Sequence, residues 1–109
     1  MRKMRVKQQF FNLIRSGRKD LEVRVGYDTI NRIQVGEQIQ LETHTSRHIM
    51  RVNAIRRYAT FEAMLQQESY TRIVPDSASS LAVLSLLHSI YPAEKEKLGV
   101  VVLEFAKPR

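Results

Sequence analysis

The sequence predicts an α+β fold, a small mixed and mainly antiparallel β-barrel with about three flanking helices. Three observations support this prediction. The chain has 109 residues, a normal size for one domain with one core. Five short segments have the apolar patterns of β-strands, and three others have helical periodicity. No linker, repeat or low-complexity segment divides the chain, so we expect residues 1–109 to form a single domain whose short sheet curls to protect its edges.

The N-terminal half is predicted to place one helix between strands. Met4 and Val6 alternate with basic residues, which is typical of a half-buried strand with a basic outer face. Residues 8–16 change to helical spacing and are followed by Gly17, a residue suited to a helix C-terminus. Two further strands, separated by a turn or loop at residues 26–29, are predicted from alternating apolar residues: Leu21, Val23 and Val25 in one, and Ile39 and Leu41 in the other.

A long fourth strand and a second helix are predicted next. A hairpin turn at residues 45–47 leads into the strand, where Met50 and Val52 share a phase that breaks at Ile55. A β-bulge would explain that break. Thr60 then provides an N-cap for the second helix.

The remaining residues are predicted to form one more helix and one more strand. Residues 70–74 are expected to be extended, up to Pro75. The third helix starts among Ser77, Ser79 and Ser80 and stops at Pro92, and its predicted buried residues are Val83, Leu84, Leu87 and Ile90. Residues 100–105 form an apolar run too short for a helix, which indicates a central strand. Residues 107–109 are expected to be a loose tail.

The charge of the chain points to an anionic partner. Lysine and arginine number 18 against 11 aspartate and glutamate, which gives a net charge of +7. A field of this strength on a small domain attracts polyanions, of which nucleic acid is the commonest. Anionic membrane surfaces and acidic proteins are the alternatives, and plain solubility is the reading that requires no partner.

The chain has no cysteine, which excludes several kinds of chemistry and agrees with a cytoplasmic location. This absence excludes disulfides, thiolate catalysis and cysteine-ligated zinc. No apolar stretch long enough for a signal peptide or membrane span follows the basic N-terminus, so we expect a cytoplasmic protein that does not enter membranes. His44 and His48 lie four residues apart without an apparent third ligand, so neither a metal site nor a cofactor is expected.

The most informative segment, residues 17–24, carries five charges beside a helix end. Glu22 and Arg24 are two residues apart on a predicted strand and therefore share one face, with Lys19 at the entrance of that strand. On a concave surface, Lys19 and Arg24 would hold a phosphate or a base edge, and Glu22 would orient Arg24. A solvated outer face of an edge strand is the alternative that spacing alone favours.

A second candidate nucleic-acid contact is Arg56-Arg57-Tyr58. Two guanidinium groups followed by an aromatic ring suit phosphate contact and base stacking. The alternative is a strand end with two solvated arginines and a half-buried tyrosine. Spacing does not separate these two interpretations.

The sequence resembles the ASCH domain family, which is related to PUA RNA-binding domains. The resemblance covers nearly the whole chain and depends on an ordered set of motifs rather than on any one of them. Glu37 departs from the aspartate that the family usually has there. The motifs are Ile14-Arg15-Ser16-Gly17, the Gly-x-Lys-x-x-Glu-x-Arg signature at Gly17, Lys19, Glu22 and Arg24, the segments 33–39 and 57–65, Ile90-Tyr91-Pro92, and Leu98-Gly99-Val100-Val101-Val102.

This resemblance implies a β-barrel with flanking helices, a cleft beside the signature, and work on RNA or modified nucleosides. Some relatives are similar to ribonucleases, and one branch hydrolyses N4-acetylcytidine with a lysine, a threonine and an upstream acid. The lysine corresponds to Lys19, and Asp76 is the nearest candidate for the acid. Glu22 stands where that branch has threonine, which argues against the same amidohydrolase activity.

Three functional hypotheses follow. The first is a binding module that captures single-stranded RNA, a nucleotide or a nucleoside in the cleft. The second is a hydrolase in which Lys19 activates water and Glu22 or Asp76 carries protons; in that case Lys19→Ala would abolish turnover and leave the melting temperature nearly unchanged. The third, an adaptor for an acidic protein, ranks last because the sequence has no exposed apolar stripe, and no obligate protein partner is expected.

Overall fold

The structure, a computed structural model, describes residues 1–106. Its five strands form one sheet, curled into a half-barrel, in the spatial order β1-β3-β4-β5-β2. β1 and β2 stand first and last in this order and are therefore the two edges of the sheet. β1 and β3 are parallel, and the other neighbouring strands are antiparallel. The strands are β1 (Arg2–Arg5), β2 (Leu21–Val25), β3 (Gln38–Glu42), β4 (Arg47–Tyr58) and β5 (Val100–Phe105).

Six helices accompany this sheet within residues 1–106, and three of them are the predicted ones. Those three are α1 (Gln8–Arg15), α3 (Phe61–Gln67) and α5 (Ser80–Ile90). The hydroxyl of Thr60 caps α3 by accepting a hydrogen bond from the Ala63 amide at 3.0 Å, and Ser79 caps α5 in the same way. The other three have four residues each: α2 (Asp28–Asn31), α4 (Tyr70–Ile73) and α6 (Ala93–Glu96). The predicted α+β fold is therefore confirmed, with additional short helices.

Three local predictions were wrong, and each has a tertiary cause. Residues 70–74 are not extended, because the short helix α4 buries Ile73 against the sheet and lets Arg72 reach Asp20. The segment 26–29 is not only a turn, since α2 begins within it. Ile90 is 48% exposed rather than buried, because it lies at the last turn of α5, beyond the part that packs on the sheet.

Two other predictions about the strands were correct. The pairing of β4 with β5 shifts register between Val52 and Ala54, which places the β-bulge where the apolar phase breaks. β5 is central, paired on its two sides with β4 and β2. The predicted tail at 107–109 lies outside the described residues.

Apolar residues on the two faces of β5 belong to two separate cores. Val101, Leu103 and Phe105 face the interior of the curled sheet, where α1 contributes Phe11 and Ile14. The alternate residues of β5 pack with α3, α4 and α5 on the other side of the sheet. Burial on both faces explains why β5 is a continuous apolar run.

An ion-pair network fastens α3 and α4 to the helix-covered face of the sheet. Glu68, at the end of α3, accepts two hydrogen bonds from Arg56 at 2.6 and 2.9 Å and a third from the Tyr58 hydroxyl. Arg56 also contacts Glu104, and Arg72 connects Glu104 to Asp20. These arginines therefore have structural partners, which opposes their use as free phosphate contacts.

No helix within residues 1–106 combines the length and the apolar character that crossing a bilayer requires.

We expect Glu68→Gln to lower the free energy of unfolding by about 2 kcal/mol at pH 7, because charge-assisted hydrogen bonds to a buried group are lost. Hydrogen bonds from Arg56 hold the pKa of Glu68 below its ordinary 4.5, against the opposing effect of burial. A lowered folded-state pKa contributes stability above the unfolded value, and this contribution is lost as pH falls through the folded value. The difference between wild type and variant should therefore shrink below about pH 4.5, as measured by urea denaturation across pH.

The matched control is Glu62→Gln on α3, since Glu62 is exposed and has no ion-pair partner within residues 1–106. Its denaturation midpoint should follow that of the wild type. A stability loss in Glu68→Gln that is the same at pH 3 and pH 7 would contradict the proposed electrostatic origin.

Candidate functional site

A cavity of about 540 Å³, here named the edge cavity, opens between the two edge strands of the sheet. β1 and the residues after it form one wall, β2 forms another, and α4 and α5 complete it. Its charged and polar lining consists of Arg5, Lys7, Gln8, Lys19, Glu22, Arg24, Thr43 and His44, and its apolar and aromatic lining of Val6, Phe10, Val23, Ile73, Val74, Leu86, Leu87, Ile90 and Tyr91.

The strand β2 places two charged side chains on the concave face of the sheet. Its apolar residues alternate with Glu22 and Arg24 and are buried toward the helices. Glu22 lies opposite Leu103 and Arg24 opposite Val101, two β5 residues of the interior core. Both charged groups thus lie at the edge of an apolar interior, where water screens them poorly.

Lys19 is almost completely buried, with 3% of its surface exposed. Its ammonium group donates to the carbonyl oxygens of Leu21 and Ile73, the latter at 2.6 Å, and lies 3.2 Å from Glu22 Oε1. Three acceptors match the three N–H bonds of an ammonium group. Lys19 therefore joins β2 to α4 and holds one oxygen of Glu22.

The other oxygen of Glu22 is held by Arg24. Oε2 accepts from Arg24 Nε at 2.9 Å and from Nη2 at 2.7 Å, which is a fork-shaped contact. Burial would raise the pKa of Glu22, but the charges of Lys19 and Arg24 outweigh it and hold this pKa below its usual value. Burial would likewise lower the pKa of Arg24, and the Glu22 carboxylate instead raises it. Both groups are ionised at neutral pH.

Arg24 also connects the two edges of the sheet. Its Nη2 donates to the carbonyl oxygen of Arg5, at the end of β1, at 2.9 Å. Nε and Nη2 are thus occupied, while Nη1 has no protein partner within residues 1–106. A guanidinium group held in one orientation, with two N–H bonds free at a cavity wall, is suited to bind an acceptor on a ligand.

The structure brings together three of the predicted site residues, Lys19, Glu22 and Arg24, but does not add Asp76 to them. The carboxylate of Asp76 pairs with Arg18 at 2.7 Å, is largely exposed, and does not line the edge cavity. Asp76 adopts a left-handed backbone with φ of 68°, in the turn before α5.

The predicted segment Arg56-Arg57-Tyr58 lies elsewhere, and its members point to opposite faces. Arg56 and Tyr58 are on the helix-covered face and take part in the network around Glu68. Arg57 is exposed and donates to Asn31 at 2.8 Å. Arg57 and Tyr58 border a smaller cavity of about 300 Å³ that does not include the signature.

Sequence reasoning missed the apolar part of the edge cavity and its polar end. Ile90 was predicted to be a core residue of the third helix, and Leu86 was given no role, whereas both line the cavity. The sequence contained a sign of this cavity, because α5 is apolar over more of its circumference than packing against a single surface requires. At the polar end, Thr43 donates to Gln8 at 2.7 Å and accepts from the amides of Thr45 and Ser46.

We expect Lys19→Met to lower the free energy of unfolding by about 3–5 kcal/mol, because it leaves a buried carboxylate with one cation and two carbonyls without a donor. The burial of Lys19 thus replaces the earlier expectation that its removal would leave the melting temperature nearly unchanged. Urea denaturation at pH 7 measures this difference.

Lys7→Met is the matched control, because Lys7 lines the same cavity but is exposed. Its stability should stay within about 0.5 kcal/mol of the wild type. A Lys19→Met protein as stable as Lys7→Met would show that the buried contacts are not needed.

Comparisons with known proteins agree with the fold and with the family resemblance. The crystal structure of hypothetical protein PH0355 superposes with a TM-score of 0.85 and 25% identity, over 97% of each chain. The solution NMR structure of protein PF0455 from Pyrococcus furiosus gives a TM-score of 0.78 and 28% identity, over 97% of this chain and 96% of that one. Among curated proteins, none matches. The family model of the ASCH domain matches residues 4–109, and the chain therefore belongs to the ASCH domain family, a PUA-like family whose members commonly bind RNA.

Proposed function

We propose that this protein binds single-stranded RNA and takes one base into the edge cavity. Arg24 contacts the polar edge of that base, and Arg5 and Lys7 contact the neighbouring phosphates. The observation that carries the proposal is a mainly apolar cavity with a fixed guanidinium group on its wall, the Nη1 of which has no protein partner within residues 1–106.

The size and lining of the edge cavity support a flat aromatic ligand. Its volume of about 540 Å³ lies within the range of roughly 300–1,000 Å³ that is typical of small-molecule sites. Leu86 and Ile90 of α5 offer apolar surface, and Tyr91 offers a ring for stacking. Burial raises the pKa of Tyr91, so its phenol is neutral at pH 7 and able to donate a hydrogen bond.

Charge at the mouth of the cavity supports a phosphate-bearing ligand over a free base. The lining has the four cations Arg5, Lys7, Lys19 and Arg24 against the single carboxylate Glu22. Glu22 already neutralises part of Lys19 and Arg24, whereas Arg5 and Lys7 are exposed and have no ion pair within residues 1–106. Phosphates that approach the mouth therefore meet unneutralised positive charge.

The position of Arg24 favours recognition over loose electrostatic capture. Glu22 and the Arg5 carbonyl hold the guanidinium group in place before any ligand arrives. A preorganised donor loses little side-chain entropy on binding.

The cysteine-free composition agrees with a cytoplasmic location, where RNA is abundant.

Hydrolysis is the alternative function, and the contacts of Lys19 give it less support. A general base needs a free lone pair, but three oxygen acceptors surround the Lys19 nitrogen. Glu22 would have to leave two cations to carry a proton, and Asp76 does not line the cavity. Incubation with short RNAs and acylated nucleosides should therefore return the ligands unchanged by mass spectrometry. A product formed by the wild type would favour the enzyme.

Binding of a 5′-phosphorylated trinucleotide tests the proposed function. We expect Arg24→Met to weaken the wild-type affinity at least tenfold, since a charge-assisted hydrogen bond of about 1.5–3 kcal/mol is lost. The logarithm of the binding constant should fall with the logarithm of salt concentration with a slope of about −1.4, which corresponds to the two phosphate-contacting cations Arg5 and Lys7 on a single strand. Fluorescence anisotropy between 50 and 200 mM salt measures both quantities.

Ile90→Trp provides a test that changes no charge. Ile90 is half-exposed at the cavity mouth, so the larger tryptophan side chain fits there without disturbing the core and obstructs entry of a base. This variant should bind the trinucleotide about tenfold more weakly. The control Arg32→Met, at an exposed position outside the cavity, should bind nearly as the wild type does. Equal binding by all variants, or none by the wild type, would refute the proposed function.

A further inference from the structure

We infer that the uncovered face of β1, β3 and β4 is a second RNA-contacting surface, continuous with the edge cavity. It is named here the open face and is defined by Lys3, Arg5, Gln40, Arg47, Ile49 and Arg51. The inference rests on the proposed function and deepens it: the ligand class becomes a single-stranded polynucleotide several nucleotides long rather than a free nucleotide.

Strand register places these residues on one side of the sheet. Lys3 of β1 pairs with Gln40 of β3, which pairs with Ile49 of β4. The neighbouring rows continue the same face, with Arg5 and Arg47 on either side of Glu42. The alternate residues of these strands point to the interior core, so the two sides of the sheet differ sharply in polarity.

The cations of the open face are not used by the fold. Lys3, Arg5, Arg47 and Arg51 are exposed, and none has an ion-pair partner within residues 1–106. By contrast, Arg2, Arg18, Arg24, Arg56 and Arg72 each lie against a carboxylate. The described residues therefore place four cations that have no ion pair on one face of the curled sheet, together with the single carboxylate of Glu42.

Arg5 connects the open face to the edge cavity. Its side chain belongs to the open face by register, and it also lines the cavity. Its carbonyl oxygen binds Arg24, which fixes the distance between β1 and the signature. A chain whose base enters the cavity beside Arg24 is thus led across β1 toward β4.

The other side chains of the open face suit single-stranded RNA. Neighbouring strands lie about 4.8 Å apart and same-face residues along a strand about 7 Å apart, so the cations span several nucleotides. Gln40 offers an amide to base edges, and Ile49, 49% exposed between polar neighbours, offers an apolar contact to a base plane.

The test compares two RNA lengths in the full chain. In the triple variant Lys3→Gln, Arg47→Gln, Arg51→Gln, the affinity for a 12-nucleotide single strand should fall at least tenfold at 100 mM salt. Its salt slope should become less steep by about 2, since each cation on a single strand contributes about 0.7. Binding of the 5′-phosphorylated trinucleotide should stay within twofold of the wild type, because none of the three residues lines the edge cavity.

The control triple variant, Arg15→Gln, Arg32→Gln, Lys97→Gln, removes the same charge at exposed positions at the ends of α1, α2 and α6. It should lose less than threefold in affinity for the 12-nucleotide strand, which separates a local contact from the effect of net charge. Equal losses in the two triple variants would overturn the inference. Failure of the wild type to bind the trinucleotide would instead refute the proposed function, whatever the longer strand does.

A duplex of the same 12-nucleotide sequence and vesicles containing anionic lipid complete the experiment. We expect the single strand to bind at least tenfold more tightly than the duplex, and the vesicles not to compete for it. Tighter binding of the duplex, or displacement of the RNA by vesicles in the wild type but not in the open-face variant, would overturn the assignment of this surface to single-stranded RNA.

Discussion

The Glu22 carboxylate, 12% exposed, is held between Lys19 and Arg24, and the candidate site depends on this interaction. One oxygen faces an ammonium group at 3.2 Å, and the other accepts a fork of two hydrogen bonds. Removal of either cation would leave a carboxylate in an apolar surrounding with half of its compensation. The same interaction ties α4 to β2 through Lys19 and β1 to β2 through Arg24, so local electrostatics and the shape of the cavity are coupled.

The two faces of the sheet use arginine in different ways. On the helix-covered face, Arg56 and Arg72 form ion pairs with the carboxylates of Asp20, Glu68 and Glu104. These ion pairs neutralise the two arginines and hold helices to strands. On the open face and at the cavity mouth, cations have no such partners within the described residues. The net charge of +7 is therefore not spread evenly over the surface. The unpaired cations mark the part of the surface where the proposed RNA would bind.

Burial changes the chemical meaning of Lys19. A lysine close to another cation suggests a nucleophile or base when only the sequence is known. Inside the fold, backbone carbonyls and Glu22 use all of its N–H bonds, so the ammonium group holds β2, α4 and Glu22 together. The carboxylate of Glu22 compensates both cations, which a threonine at that position would not do.

The sequence by itself determined the fold class, the order of the strands along the chain, the Thr60 cap, the start of the third helix among three serines, the β-bulge and the shared face of Glu22 and Arg24. These follow from periodicity and from the hydrogen-bonding habits of Thr60 and Ser79, which are local properties. Only the tertiary structure decided that Asp76 stays outside the cavity, that Arg56 pairs with Glu68, and that residues 70–73 form a helix. Each of these depends on partners distant along the chain, such as Asp20 for Arg72 and Glu68 for Arg56, and spacing within one segment holds no information about them.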